Sequence, residues 1–145
     1  MATINIYLSF KNETEAAFNF YKAAFETEFM EGGFRKYKDM PDGDKMPAAD
    51  QNLVMHVALP VGNGNVLMGS DIPDSRGYSL VAGNNCQISI NADSKEEADR
   101  LFIALAAGGK ITMPIADSFW GAYFGMFTDK FGINWMVNFD HKQKK

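Results

Sequence analysis

Two helix-opening signals stand 82 residues apart, and that spacing constrains the chain more than any single motif. Asn12 with Glu15 three residues on spells the reciprocal cap that starts a helix, and Ser94 with Glu97 repeats it (94 − 12 = 82; 97 − 15 = 82). The same shift carries the apolar set Ala16, Phe20, Ala23 and Ala24 onto Ala98, Phe102, Leu105 and Ala106. Ahead of each helix lies a strand, INIYLSF in the first half and CQISINA in the second. Three more strands follow each helix. In the first half these are EFMEGGFRKY, LVMHVALPV and VLMGSDI, the last two joined by a GNGN turn. In the second they are KITMPIA, WGAYFGMFTD and INWMVNF, with DKFG turning into the last. The repeat predicts an α+β chain of two tandem β-α-β-β-β units, residues 4–70 and 87–139, with a linker at 71–86 inside a single domain of residues 1–145. Each unit is expected to form a curved antiparallel sheet with its helix on one face. Two such sheets would enclose a cavity walled by strand side chains.

Composition narrows the function classes. With 46% hydrophobic residues in 145, the chain can bury a real core. A net charge of −4 argues against nucleic acid or an anionic membrane as partner, and the terminal KQKK reads as a solvated tail. MATINIYLSF has no basic region followed by a long apolar run, and no stretch reaches membrane-spanning length, so the chain reads as cytoplasmic. The single Cys86 has no partner for an internal disulfide and reads as a small buried residue without chemistry. Residues 38–52, KDMPDGDKMPAADQN, are too rich in Asp, Gly, Pro and Lys to bury much surface, and are expected to be a mobile loop or lid.

The helix AAFNFYKAAF, the mid-chain MHVALPVGNGNVLMGSD and the ending FWGAYFGMFTDKFGINWMVNF together resemble the PhnB-like branch of the vicinal oxygen chelate superfamily. That branch also carries the label 3-demethylubiquinone-9 3-methyltransferase-like, and the superfamily holds glyoxalase I, bleomycin-resistance proteins and extradiol dioxygenases. The resemblance covers essentially the whole chain, giving a glyoxalase/bleomycin-resistance-like fold. Its most specific part is Trp120-Gly121 followed by DKFG at residues 129–132 and by Trp135; Lys130 stands where many relatives carry Pro, a change in turn stiffness more than in function.

What the resemblance implies about chemistry is specific. In the superfamily's enzymes a divalent metal is held by the first and last strands of each half. Those positions fall here on Asn5 and Gln87 (87 − 5 = 82), and on Met68 and Met136. None is His, Asp or Glu, whereas a catalytic divalent site wants about three imidazole or carboxylate ligands. Sliding by one pleat gives Tyr7, Ser89, Ser70 and Asn138, again no ligand set. No metal and no other cofactor is therefore expected. His56, the histidine inside a strand, resembles one that relatives of this branch often show; it reads either as a half-buried, hydrogen-bonded residue or as a cavity base or ligand anchor. His141 lies beyond the last strand and reads as solvated.

Strand parity makes Asn5, Tyr7, Met68, Ser70, Gln87, Ser89, Met136 and Asn138 the ligand-binding candidates. Trp120, Tyr123, Phe124 and Trp135 read first as core or dimer-interface aromatics, then as stacking surfaces for a flat ligand. Gly121 and Gly125 mark bulges or close backbone approaches. The methyltransferase label finds no support, since neither helix is preceded by a Gly-rich turn and EGGFRKY lies within a strand region. P-loop, G-x-S-x-G, H-E-x-x-H and paired-cysteine motifs are absent. Two readings stay open. One is a homodimeric, metal-free module binding a small, planar or amphipathic molecule, as the bleomycin-resistance relatives do. The other is a lyase, isomerase or dioxygenase-type enzyme that uses His56 with or without a nonstandard metal.

Overall fold

Strand β1 (Ile6–Phe10) leads into helix α1 (Thr14–Phe25) and, after an irregular stretch, the short strand β2 (Arg35–Lys36). Two 3-10 turns (Tyr37–Asp39 and Gly43–Lys45) and the short helix α2 (Ala48–Gln51) precede the hairpin of β3 (Val54–Gly62) and β4 (Asn65–Asp71). The second unit repeats the plan with β5 (Ile88–Asn91), α3 (Lys95–Ala106), β6 (Lys110–Asp117), β7 (Ala122–Thr128) and β8 (Asn134–Asp140). This is a computed structural model, and it describes residues 1–77 and 79–141, so the expected tail at residues 142–145 lies outside the described residues. The chain divides between Val81 and Ala82 into two units. No helix among the described residues is long and apolar enough to cross a membrane.

Each unit holds a four-stranded curved sheet, ordered β1-β4-β3-β2 in the first and β5-β8-β7-β6 in the second. The sheets are not wholly antiparallel as expected: β1 pairs parallel with β4, and β5 with β8. The reason is topological. The helix carries the chain across to the far edge, and a three-strand meander then returns to the first strand running in its direction, with a connection long enough for parallel pairing. Tyr7 faces Met68 and Ser89 faces Met136, so the repeat shift is 82 at the first strands and 136 − 68 = 68 at the last. The difference of 14 residues is within one of the length of the polar excursion, residues 38–52, which has no counterpart in the second unit. That excursion is not structureless: it forms the two 3-10 turns and α2, and it buries Gly43 and Asp50. A Cβ on Gly43 would lie 2.4 Å from the Tyr37 carbonyl oxygen, so the turns are packed on their own backbone.

The α1 face differs from the expected one. Thr14, Ala17, Phe18, Tyr21 and Ala24 are buried, while Ala16 and Ala23 are exposed. Alanines at 16, 17, 23 and 24 let the apolar stripe be drawn one residue round the helix without breaking its period. In α3 the buried set is Ala98, Leu101, Phe102, Leu105 and Ala106, so the helix faces coincide at a shift of 84 (98 − 14, 101 − 17, 102 − 18, 105 − 21) rather than 82. The two phenylalanines use one device. A Cβ on Gly69 would come within 2.6 Å of the Phe18 ring, and one on Gly125 within 2.7 Å of the Phe102 ring. Each helix thus lays an aromatic ring directly on sheet backbone, on β4 in one unit and β7 in the other.

The caps also differ. Ser94 Oγ accepts from the Glu97 amide at 3.0 Å, and Glu97 Oε1 accepts from the Asp93 amide at 2.8 Å, close to the expected box. Asn12 has φ 63° and does not cap α1. Asp71, at the end of β4, does so instead: its Oδ1 accepts from the Thr14 amide at 3.1 Å and from the Thr14 hydroxyl at 2.7 Å. Its Oδ2 accepts from the Val54 amide at 3.0 Å, and its backbone carbonyl accepts from the Tyr37 hydroxyl at 3.0 Å. One buried residue therefore ties helix, strand and loop together, and the three donors to its carboxylate, from Thr14 and Val54, are charge-assisted. In the second unit the buried Asp129 fastens a turn to strand β8. Its Oδ1 accepts from the Phe131 and Ile133 amides at 2.8 and 3.0 Å, and its Oδ2 from Trp135 Nε1 at 2.8 Å.

Candidate functional site

With α1 covering one face of the first sheet, side chains of opposite parity line the other face, which α1 leaves uncovered. There a groove of about 440 Å³ is walled by Met30, Ala58, Val66 and Met68, with Asn5, Glu31, Arg35 and His56 as its polar members. Three of the expected residues, Asn5, His56 and Met68, thus share one groove. A second hollow of about 290 Å³ is lined by Tyr7, Ser70, Tyr37 and Arg76 among others. Tyr7 connects the two, its hydroxyl 3.4 Å from His56 Nδ1 and the rings 5.9 Å apart. His56 stands directly opposite Arg35 in the β2–β3 pairing and is half-buried.

The second unit is described by itself. Ser89, Met136, Met126 and Met113 pair in turn across four strands, so the uncovered face of that sheet carries a row of three thioethers. Gln87 turns toward its own loop, donating to the Asn84 carbonyl at 2.9 Å, and Asn138 donates to Asn91 Oδ1 at 3.3 Å. Trp120 is half-exposed and packs on Phe119 and Phe124. Tyr123 does not belong with these residues. Strand alternation puts it on the helix side, where its hydroxyl donates to Asp99 Oδ1 at 2.5 Å. That bond, and then burial, push its pKa up to about 12, because both favour the neutral phenol. Lys95 Nζ lies 4.7 Å from the same ring, so the tyrosine is spent on local packing.

Other residues depart from expectation too. Cys86 is exposed rather than buried, since β5 starts only at Ile88 and leaves it in the preceding loop. His141 is not merely solvated: its Nε2 lies 2.7 Å from Asp117 Oδ1, reaching from the end of β8 to the end of β6. Strand β2 keeps only Arg35 and Lys36 of the ten-residue stretch read as strand, because residues 31–33 turn, with Gly32 and Gly33 at positive φ. That turn brings Met30, Glu31 and Arg35 to the groove, residues that sequence reasoning passed over. The GG pair was the available signal.

The model of the Glyoxalase/Bleomycin resistance protein/Dioxygenase superfamily matches residues 3–137. The chain belongs to that superfamily. Among solved structures it is similar to protein PA1353 from Pseudomonas aeruginosa, with 39% identity and a TM-score of 0.83 over 97% of this chain and 98% of that one. The fold is also that of the PhnB protein from Bacillus cereus, a putative 3-demethylubiquinone-9 3-methyltransferase, at 24% identity, TM-score 0.75 and coverage of 95% and 99%. Protein YjdN of Escherichia coli (strain K12) is 27% identical over 145 residues, 91% of each chain.

For this member, the metal chemistry seen elsewhere in the superfamily meets the wrong donors. Asn5 and Met68 in the first unit and Gln87 and Met136 in the second offer neutral amides and thioethers, which do not suit a hard dication. Among the described residues no three His, Cys, Asp or Glu side chains gather to take their place. The donor set therefore does not fit the superfamily's divalent metal.

Proposed function

We propose that this chain is a PhnB-like member of its superfamily that binds a small organic molecule on the uncovered face of its first sheet, without the usual divalent metal. The observation that carries this reading is the groove itself. Its volume of about 440 Å³ falls in the range of small-molecule sites, and its Met, Ala and Val walls hold a few convergent polar groups. Methionine suits such a wall because its unbranched thioether adapts to irregular shapes. A catalytic reading, as lyase, isomerase or dioxygenase-type enzyme, has one observation in its favour: His56 lines the groove with Tyr7 against its ring. The proposal also places the protein in the cytoplasm, where an exposed lone thiol such as Cys86 stays reduced.

Elemental analysis and a thermal-shift series in zinc, nickel and iron(II) test the metal-free part. A metal that binds only the folded form raises stability by about 2.7 kcal/mol at 100 times its Kd. The expected outcome is no stoichiometric metal and no such rise. A metal whose effect disappears in Asn5→Ala or Gln87→Ala would instead promote the enzyme reading.

We further propose a symmetric homodimer. Its support is apolar surface on the second unit: Ile111 and Met113 on the edge strand β6 are half-exposed, and Phe119 is 98% exposed. Light scattering at micromolar concentration should give twice the 16.1 kDa chain mass, and a monomer there would rule the dimer out.

A further inference from the structure

We infer that the ligand of the first unit's groove is an acid: a small amphipathic molecule whose carboxylate or phosphate is taken by Arg35, with its apolar body on Met30, Val66 and Met68. The inference rests on the reading of that groove as the binding site and adds the ligand's chemical class.

Three observations carry it. First, Arg35 is a groove-lining guanidinium that forms no ion pair among the described residues, not even with Glu31 in the same lining. An unpaired planar fork beside an apolar wall matches a bidentate acid group on an apolar body. Second, the guanidinium lies against the Gly-Gly turn. A Cβ on Gly32 would fall 3.0 Å from Arg35 Nε and 3.1 Å from its Nη2, and Gly32 has φ 96°, so only glycine leaves that space. The turn is itself anchored, with the Met30 amide donating to the Ala58 carbonyl and the Gly33 amide to the Met30 carbonyl, both at 3.1 Å. Third, donors converge there: His56 stands directly across from Arg35, and the Asn5 amide lines the same wall. Glu31 is the one opposing charge, and it gives the inference a test of opposite sign.

The test uses three probes with one ring system: 2-naphthoate, 2-naphthyl phosphate and neutral 2-naphthamide. Each is titrated calorimetrically into the full chain, and binding is located by the methyl signals of Met30 and Met68 in protein labelled at methionine. At least one acid is expected to bind roughly tenfold or more tighter than the amide, as a charge-assisted bidentate contact implies. Arg35→Met, which keeps the apolar stem, should bring the acids down to the level of the amide and leave the amide unchanged. Glu31→Gln should tighten the acids a few-fold. The inference is overturned if the amide matches both acids in the wild type, or if Arg35→Met weakens acid and amide alike, while the groove stands because the probes still shift Met30 and Met68. If no probe shifts those two signals, the groove reading fails and the inference with it.

Discussion

Trp135→Ala is expected to lower the free energy of unfolding by about 3–5 kcal/mol, the range for deleting a fully buried large aromatic. The indole is 1% exposed and stacks on Phe127 with centroids 6.5 Å apart and planes 12° from parallel. Its Nε1 also supplies one of the donors on the buried Asp129 carboxylate. Trp135→Phe keeps most of the packing but leaves Asp129 Oδ2 without that donor, so a loss of about 1–3 kcal/mol is expected. Urea denaturation measures both. A loss under about 1 kcal/mol for the alanine variant would contradict a core role and return Trp135 to the pool of ligand-stacking aromatics.

Asp71→Ala should cost a similar amount, about 3–5 kcal/mol. Three donors lose their acceptor at once: the Thr14 amide, the Thr14 hydroxyl and the Val54 amide. Each buried donor left unmade costs about 1–3 kcal/mol, and the α1 cap is lost with them. Asp71→Asn retains one oxygen for Thr14 but turns an NH₂ toward the Val54 amide, so its loss should be smaller, about 1–3 kcal/mol. Equal stability of wild type and Asp71→Ala would refute the view that this carboxylate ties β4, α1 and β3 together.

These two residues show what a sequence of this kind reveals. The repeat is legible because it rests on periodicity: strand alternation and the Ser-x-x-Glu box are local patterns that locate seven of the strands and α3 closely, whereas β2 keeps two residues of its expected stretch and α1 forms without its expected Asn12 cap. The cap of α1 was not legible, since Asp71 stands 57 residues from Thr14 and only the β1–β4 pairing brings them together. Parallel pairing escaped for the same reason. Trp135 and DKFG stood out through family resemblance, yet their partners make them structural: Asp129 closes the turn and holds the indole. Of the residues chosen for the site, Asn5, His56 and Met68 do share a groove, because parity within a single sheet is readable. Tyr123 was chosen for its aromaticity although its parity set it on the helix side. Arg35 is not legible as a groove residue because the Gly-Gly turn cuts β2 to two residues, and only its pairing with His56 shows which face it takes.

The central claim, an organic ligand in a groove without a divalent metal, is tested most directly by mass spectrometry of the small molecules and metals released from freshly purified protein. Wild type should be compared with Ala58→Trp, in which an indole fills the groove beside Met68. The account expects an organic molecule released by the wild type and lost from Ala58→Trp, with no stoichiometric divalent metal in either. A stoichiometric divalent metal, or the same molecules released equally by both proteins, would contradict it.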